Sequence, residues 1–373
     1  MSLFGSLYVG ASGLQTGQNA LNTTAHNLSN VDTKGYTRQQ TLLTDRNYNL
    51  LSVNPKAAAN QQTGLGVTYA DVRQVRDSFL DQKYRKESGR SAFYEVSYNT
   101  LSEVETLLGE LDGESFSTSL NNLWEAVQEL AKQPASSVTQ GLLIQRASQF
   151  VEQAGNVYSA LAKYQDNLNN QIKGQVDQIN KYADRLFELN NEIAKIETGG
   201  IEHANDLRDE RNQILDALGG YGNISYSEDW NGSVNVKFEG HTLVNATQVF
   251  KIGLDQNSDT GFYTPFWQGD ARKIPQENGT FRYDISNCKV FDLTREISTA
   301  CNTDIGSLKG MLVARGDHRA DYTDLQDADA YNETVSSSIL MNVQAEFDNL
   351  VHNIVTKINE VLENVAEKEG PPY

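Results

Sequence analysis

The chain has 373 residues, with 31 Lys and Arg against 49 Asp and Glu, a formal charge of −18 at pH 7 and a sequence pI near 4.7. That length suits two or three domains with cores of their own, and the charge argues against a nucleic-acid or membrane partner, because phosphate binding needs clustered Lys and Arg that the sequence lacks. Cys288 and Cys301 are too few for a disulfide framework and match no zinc spacing, so they read as buried or free thiols; no stretch approaches the length of an apolar membrane span, and no basic start precedes an apolar core as in a signal peptide.

The first 40 residues place a leucine at every seventh position, Leu7, Leu14, Leu21 and Leu28. Such a repeat keeps one seam of a helix facing another helix, and the neighbouring positions are small or apolar: Leu3, Gly10, Ala11, Gly17, Thr24 and Ala25. Gly5, Gly10, Gly13 and Gly17 each cost about 1 kcal/mol of helix propensity relative to Ala, so the segment is expected to fray in the lone monomer and to order on assembly. It stops abruptly over 27–36. Asn27 and Asn30 can bond turn backbone, Asp32 and Thr33 favour a turn, and Gly35 permits a positive φ before Tyr36. His26, on the same helix, reads as a polar interface contact.

Residues 41–71, with Pro55 and the Gly64-Leu65-Gly66-Val67 step, read as an extended, partly β-like connector. The glycine pair has neither a phosphate-loop lysine nor a third glycine, so it is a turn. From Val72 to Gly109 apolar residues fall at three- and four-residue spacings, predicting a long amphipathic helix. A second helix begins near Ser117 and stops before Pro134; a third runs from about Thr139 to Glu197 with a single apolar stripe; a short one covers Ala204 to Leu218. From Gly219 to Leu312 the period drops toward two, with β-branched and aromatic clusters between turns such as Asn231-Gly232 and Asn278-Gly279. Helix returns from Val335 to Val365. The expected fold is mainly α with an inserted β domain, a long-helix bundle plus an N-terminal coiled-coil helix. Its expected domains are an assembly segment (1–40), the connector (41–71), a bundle (72–218 with 313–373) and a β-rich outer domain (219–312).

Little chemistry is on offer. The histidines at 26, 203, 241, 318 and 352 include no pair at a metal-ligand spacing. Asp317 with His318 could begin a catalytic dyad, but adjacent loop residues rarely face one another and no nucleophile motif exists, so Gly316-Asp317-His318-Arg319 reads as a turn between domains. The charges of Asp206, Arg208, Asp209, Glu210 and Arg211 read as a salt-bridged bundle helix whose apolar face is Leu207, Ile214 and Leu218. No enzyme, cofactor or metal is expected.

The run Ala20-Leu21-Asn22-Thr23-Thr24-Ala25-His26-Asn27-Leu28-Ser29-Asn30-Val31-Asp32-Thr33-Lys34-Gly35-Tyr36-Thr37-Arg38-Gln39 resembles the N-terminal signature of the bacterial flagellar axial proteins, the rod, hook and hook-associated families. Its Gly-Tyr-Thr-Arg-Gln ending resembles the FlgK family of flagellar hook-associated proteins, the first hook-filament junction proteins. Two later segments are similar to the same family: Asn205 to Leu215 and the Gly306-Ser307-Leu308-Lys309-Gly310-Met311-Leu312 return. The resemblance implies a structural protein outside the cell, exported by the flagellar type III system. Its implied partners are further copies of itself in a ring, the hook protein, the second junction protein on the filament side and an export chaperone. The implied assembly interface is Leu7, Leu14, Leu21 and Leu28 with Asn27, Asn30, Gly35 and Tyr36. It also implies a C-terminal heptad helix, which the ending Lys368-Glu369-Gly370-Pro371-Pro372-Tyr373 does not supply, so the sequence is expected to be a fragment of a longer protein, the other reading being a different mode of assembly. Two rivals remain. A rod or hook protein would share the N-terminal signature without the long bundle helix, and a secreted coiled-coil adhesin or effector would share the composition without the Asn-Leu-Ser-Asn-Val stop.

Overall fold

A computed structural model of the chain describes residues 3–46, 49–52, 61–109, 116–199, 203–275 and 281–369. Pro55, the Asn278-Gly279 turn and the Gly370-Pro371-Pro372-Tyr373 ending lie outside them. The fold is mainly α-helical with small antiparallel sheets. In order, α1 (Leu3–Ser29) is followed by β1 (Gln39–Asp45), β2 (Asn49–Ser52), β3 (Gln61–Thr63) and β4 (Val67–Gln74). Then come α2 (Ser78–Leu108), α3 (Phe116–Lys132), α4 (Ser137–Glu197) and α5 (Asn205–Tyr221). The strands β5 (Ile224–Glu228), β6 (Val234–Phe238), β7 (His241–Val244), β8 (Ile252–Gln256), β9 (Tyr263–Trp267), β10 (Arg272–Pro275) and β11 (Phe281–Asp284) lead into α6 (Ser307–Arg315). A 3-10 turn (Tyr322–Leu325), α7 (Ala328–Ala330), a π turn (Tyr331–Val335) and α8 (Ile339–Glu369) complete the described chain.

The helix predicted from Val72 begins later. Val72 belongs to β4, which pairs antiparallel with β1, and α2 starts at Ser78, where the Asp77 carboxylate accepts from the Phe79 and Leu80 amides and caps the first turn. The apolar residues at 72 and 75 satisfied a helical period by coincidence with a strand end.

Two compact units divide the chain. The first holds residues 1–86, 181–219 and 224–250: α1 against the β1–β4 hairpin, the end of α4, α5 and the β5-β6-β7 sheet. Buried Leu186, Leu189, Ile193, Leu215, Leu218, Val236 and Phe238 supply its core. The second holds 87–180, 220–223 and 251–373, with the β8–β9 and β10–β11 hairpins, α3, α6 and α8. Its buried residues include Phe150, Leu161, Leu168, Ile172, Ile179, Phe266, Leu308 and Leu340. The strands of 219–312 thus fall partly in each unit.

One device recurs. Asparagines on helices act as substitute strand partners, each giving and taking a hydrogen bond at the first residues of a strand. Asn190 donates to the Val234 carbonyl at 2.8 Å and accepts from the Val234 amide at 3.1 Å. Asn180 does the same with Ile252 at 2.9 Å both ways, and Asn169 donates to Gly261 and accepts from Tyr263. Each satisfies two strand-end backbone groups that no neighbouring strand reaches. Asn190→Ala should therefore strand a buried N–H and C=O and cost about 2–6 kcal/mol, since each unsatisfied buried group costs roughly 1–3 kcal/mol. Denaturant unfolding with hydrogen exchange at the Val234 amide reads this directly: loss of protection there is expected, and unchanged protection would show that water takes the asparagine's place.

Candidate assembly interface

The surface in question lies on the first unit and is built on α1. At 3.6 residues per turn, Ser12, Thr16, Thr23 and Asn27 share one side of this helix while Leu7, Leu14, Leu21 and Leu28 share the roughly opposite side. The polar side is the docked one. Ser12 and Thr16 are buried; the Val67 amide donates to Ser12 Oγ at 3.4 Å, and Thr41 Oγ1 to Thr23 Oγ1 at 3.0 Å. Close approach here requires Gly66, with φ +90°, because a Cβ at that position would lie 2.2 Å from Ser12 Oγ. Asn27 finishes the docking: it donates to the Gln39 carbonyl at 2.8 Å and accepts from the Gln39 amide at 2.9 Å and the Tyr36 hydroxyl at 2.7 Å.

Among the described residues the leucine side packs against nothing. Leu7, Leu14, Leu21 and Leu28 are 71%, 78%, 70% and 74% exposed, and Val31 continues the row. A Cβ added at Gly10, Gly13 or Gly17 would find open space, so no contact among the described residues accounts for these glycines. An apolar stripe of this kind on a continuous helix is a candidate interaction face.

The predicted stop is held by named contacts. Asn30 donates to the His26 carbonyl at 3.0 Å and accepts from the Thr33 hydroxyl at 3.1 Å, while the His26 and Tyr36 rings meet edge to face at 5.5 Å. Gly35 has φ +82°, and a Cβ there would lie 2.3 Å from the Gln213 side chain on α5. Asp209 then fastens the stop to α5: its carboxylate accepts from the Thr37 amide at 3.2 Å and from Gln74 Nε2 at 2.8 Å. Burial pushes the Asp209 carboxyl up from its ordinary value against the Thr37 hydrogen bonds and the Arg76 charge, and burial, then Asp209 and Asp206, push the Tyr36 phenol up. Of the predicted interface residues, the structure brings Asn27 and Tyr36 into contact and sets Gly35 against α5, whereas the four leucines stand largely exposed. Ser12 and Gln74 were not singled out from sequence, while Gly66 was read only as part of a turn and Asp209 only as a charge of a bundle helix; the phase of Ser12, Thr16, Thr23 and Asn27 along one helix side is the signal that finds the first.

Arg208, Glu210 and Arg211 of α5 are ion-paired, with Glu197 and Glu228, Arg185, and Glu228, as expected for a structural helix, but two of the α5 charges are not on its flank. Arg211 is 3% exposed and donates to the Gly232 carbonyl, and Asp209 is also buried. Arg208 grips Glu197 with two bonds of 2.7 Å; burial works to raise the Glu197 carboxyl, yet Arg208 and the Ala204 amide hold it below its ordinary value.

In the second unit, Asp317 and His318 do face each other, at 2.6 Å, and the other imidazole nitrogen lies 3.3 Å from Asp324. The Asp317 hydrogen bond, opposed by burial and helped by Asp324, pushes the His318 pKa up. Both nitrogens are occupied by carboxylates, which favours a doubly protonated ring and leaves no free nitrogen to act as a base. Because the folded-state value is raised, this stabilisation is fully present below the unfolded value of about 6.5 and is lost as the pH rises through the folded value. His318→Gln should flatten that fall in the denaturation midpoint, measured below and above the histidine range; an unchanged slope would assign it to other groups.

A family model described as the flagellar hook-associated protein FlgK helical domain matches residues 101–370, and one described as flagella basal body rod protein matches residues 7–37. Flagellar hook-associated protein 1 of Bacillus subtilis (strain 168) is 27% identical over 99% of this chain and 69% of its own length. The protein of the same name from Salmonella typhimurium is 29% identical over 66% of this chain and 44% of its own length, so the chain spans less than half of that relative. Among solved structures, the flagellar hook junction protein FlgK from Burkholderia pseudomallei aligns with a TM-score of 0.48 at 18% identity, over 64% of this chain and 38% of that one. With the helical-domain match extending over well more than half of its residues, the chain belongs to the FlgK family of flagellar hook-associated proteins.

Proposed function

We propose that this chain is a structural component of the bacterial flagellum that joins hook to filament, built into a ring by helix packing and working without catalysis. The observation that carries the reading is the outward leucine stripe of α1, 70–78% exposed and flanked by glycines where an added Cβ would meet nothing among the described residues. Its partners are further copies, the hook protein on one side and the second junction protein on the other, reached by type III export with a chaperone; its place is outside the cell. Residues 1–40 are the assembly segment, with Asn27, Asn30, Gly35 and Tyr36 holding the stop that sets the angle at which α1 leaves its hairpin. A rod or hook protein is the second reading, favoured by the rod-protein match; that match is confined to 7–37, and the helical-domain match over 101–370 argues for the junction.

Electron microscopy of purified hooks mixed with this protein, intact and lacking residues 1–35, tests the reading. Density at the hook tip for the intact protein alone is expected. Equal density for both would remove α1 from docking, and tip binding by neither would sink the junction reading.

A further inference from the structure

Residues 316–325, from the end of α6 through the 3-10 turn, form a strap that is joined to α4 on one side and to α8 on the other, all within the second unit. Its backbone is held by side chains of the two helices. Gln165 of α4 donates to the His318 carbonyl at 2.8 Å and accepts from Gln344 of α8 at 3.2 Å, the Ala320 amide donates to Gln344 Oε1 at 3.3 Å, and the Tyr158 hydroxyl donates to the Ala320 carbonyl at 3.0 Å. Further along, the Tyr322 amide donates to the Asp348 carboxylate at 3.0 Å and the Tyr322 ring stacks on His352 at 3.9 Å. Ala320 is buried in one apolar cluster with Val335, Met341 and Ala345.

The strap itself is acidic, with Asp317, Asp321 and Asp324, and α8 adds Asp348. Two arginines lie nearby, and both are engaged elsewhere: Arg319 with Asp166 of α4 at 2.9 Å, and buried Arg315 with Asn169 and the Tyr263 and Gly316 carbonyls. His318 stands between the two end carboxylates, Nδ1 at 2.6 Å from Asp317 and Nε2 at 3.3 Å from Asp324. An imidazolium donates to both. A neutral ring donates to one and turns a lone pair toward the other carboxylate, so the ring braces the strap end to end only when doubly protonated.

We propose that the strap is a proton-operated latch: doubly protonated His318 holds it closed on α4 and α8, and loss of that proton lets residues 317–324 lift while both helices stay folded. Release is local because the strap is tied to the helices by single side-chain bonds, whereas α4 and α8 keep their own ladders of helical hydrogen bonds, and sparsely tied segments open at lower free energy than the domain around them. The Asp317 hydrogen bond raises the His318 value against burial, so the closed form has its full support below the unfolded value of about 6.5 and loses it as the pH rises through the folded one. Opening uncovers the cluster beneath Ala320, so the open form stays a minor population and is read by exchange.

Hydrogen exchange of the full protein, followed amide by amide across the histidine range and corrected for intrinsic rates, tests the latch. The Ala320 and Tyr322 amides are expected to lose protection as the pH rises, and amides in the middle of α4 are not. His318→Gln should make the strap's protection level with pH, and Asp324→Asn, which keeps an acceptor for the Asp321 amide, should weaken the dependence. His352→Gln controls for the other imidazole at the strap and should leave the dependence in place. Protection that is level in the wild-type protein, that falls equally in α4, that still varies in His318→Gln or that becomes level in His352→Gln overturns the proposal. If His318→Gln does not fold, NMR titration of the His318 ring decides: a midpoint shared with the loss of protection supports the latch, and separate midpoints overturn it.

Discussion

Changing Leu7, Leu14, Leu21 and Leu28 together to glutamine is expected to abolish incorporation into flagella while the isolated chain unfolds at the wild-type temperature. The two halves of this outcome have one cause. At 70–78% exposure the leucines bury almost nothing in their own chain, so their loss removes no packing, and glutamine keeps nearly the same helix propensity. Exposed substitutions of this kind stay within about 0.5 kcal/mol. In an assembled seam each fully buried leucine contributes about 1.5–3 kcal/mol, so losing four removes roughly 6–12 kcal/mol, more than four orders of magnitude in affinity. Thermal unfolding and counts of assembled filaments measure the two halves separately. A drop of several kcal/mol in the stability of the lone chain would mean the stripe is packed within it. Gly10→Ala with Gly17→Ala sharpens the contrast, because each new Cβ meets open space and gains about 1 kcal/mol of helix propensity: the lone chain should become more stable and the assembly weaker.

The same stripe explains why α1 was legible from sequence. A heptad of leucines declares a seam whether or not the partner is present, so α1 and its stop at Asn27 to Tyr36 could be read from residue types alone. Long helices with an uninterrupted stripe were equally legible: α4 was expected over 139–197 and spans Ser137–Glu197. Long-range pairing was not legible. β9 and β10 gave no alternation strong enough to stand out, since Tyr263-Thr264-Pro265-Phe266-Trp267 buries three successive residues and Arg272–Pro275 exposes all four. The asparagines at 169, 180 and 190 looked like solvated positions of a bundle helix. Their spacing of ten or eleven residues, three helical turns, keeps them in phase with the apolar stripe, and a polar residue in that phase is the sequence trace of a buried backbone partner. Asp209, read as a charge of a bundle helix, was misplaced for a different reason: its partners Thr37 and Gln74 are over a hundred residues away, and nothing local marks a carboxylate that will be buried.

Three glycines around α6 should respond to alanine in a fixed order, with Gly306 the worst. Gly306 has φ +97°, a region alanine adopts only under strain of about 1–3 kcal/mol, and its Cβ would lie 2.4 Å from the Tyr221 carbonyl oxygen and 2.5 Å from Gly222 Cα. Those atoms are backbone and cannot rotate aside, so a further 1–3 kcal/mol of overpacking is expected. A total of roughly 2–6 kcal/mol is a large part of the 5–15 kcal/mol by which a typical domain is stable, and Gly306→Ala should lose its cooperative unfolding transition or shift it strongly downward. At Gly316, φ +76°, the new Cβ would collide with the Met341 side chain, which can swing away; the strain remains, and the cost should be intermediate. Gly310 carries no positive φ, and its Cβ would stand 3.2 Å from the Phe93 carbonyl oxygen, so the gain of about 1 kcal/mol in helix propensity nearly offsets the crowding. Urea unfolding of the three single variants reads the order directly. If Gly310→Ala proved as damaging as Gly306→Ala, close approach of α6 to α2 would outweigh backbone conformation as the reason this segment is rich in glycine.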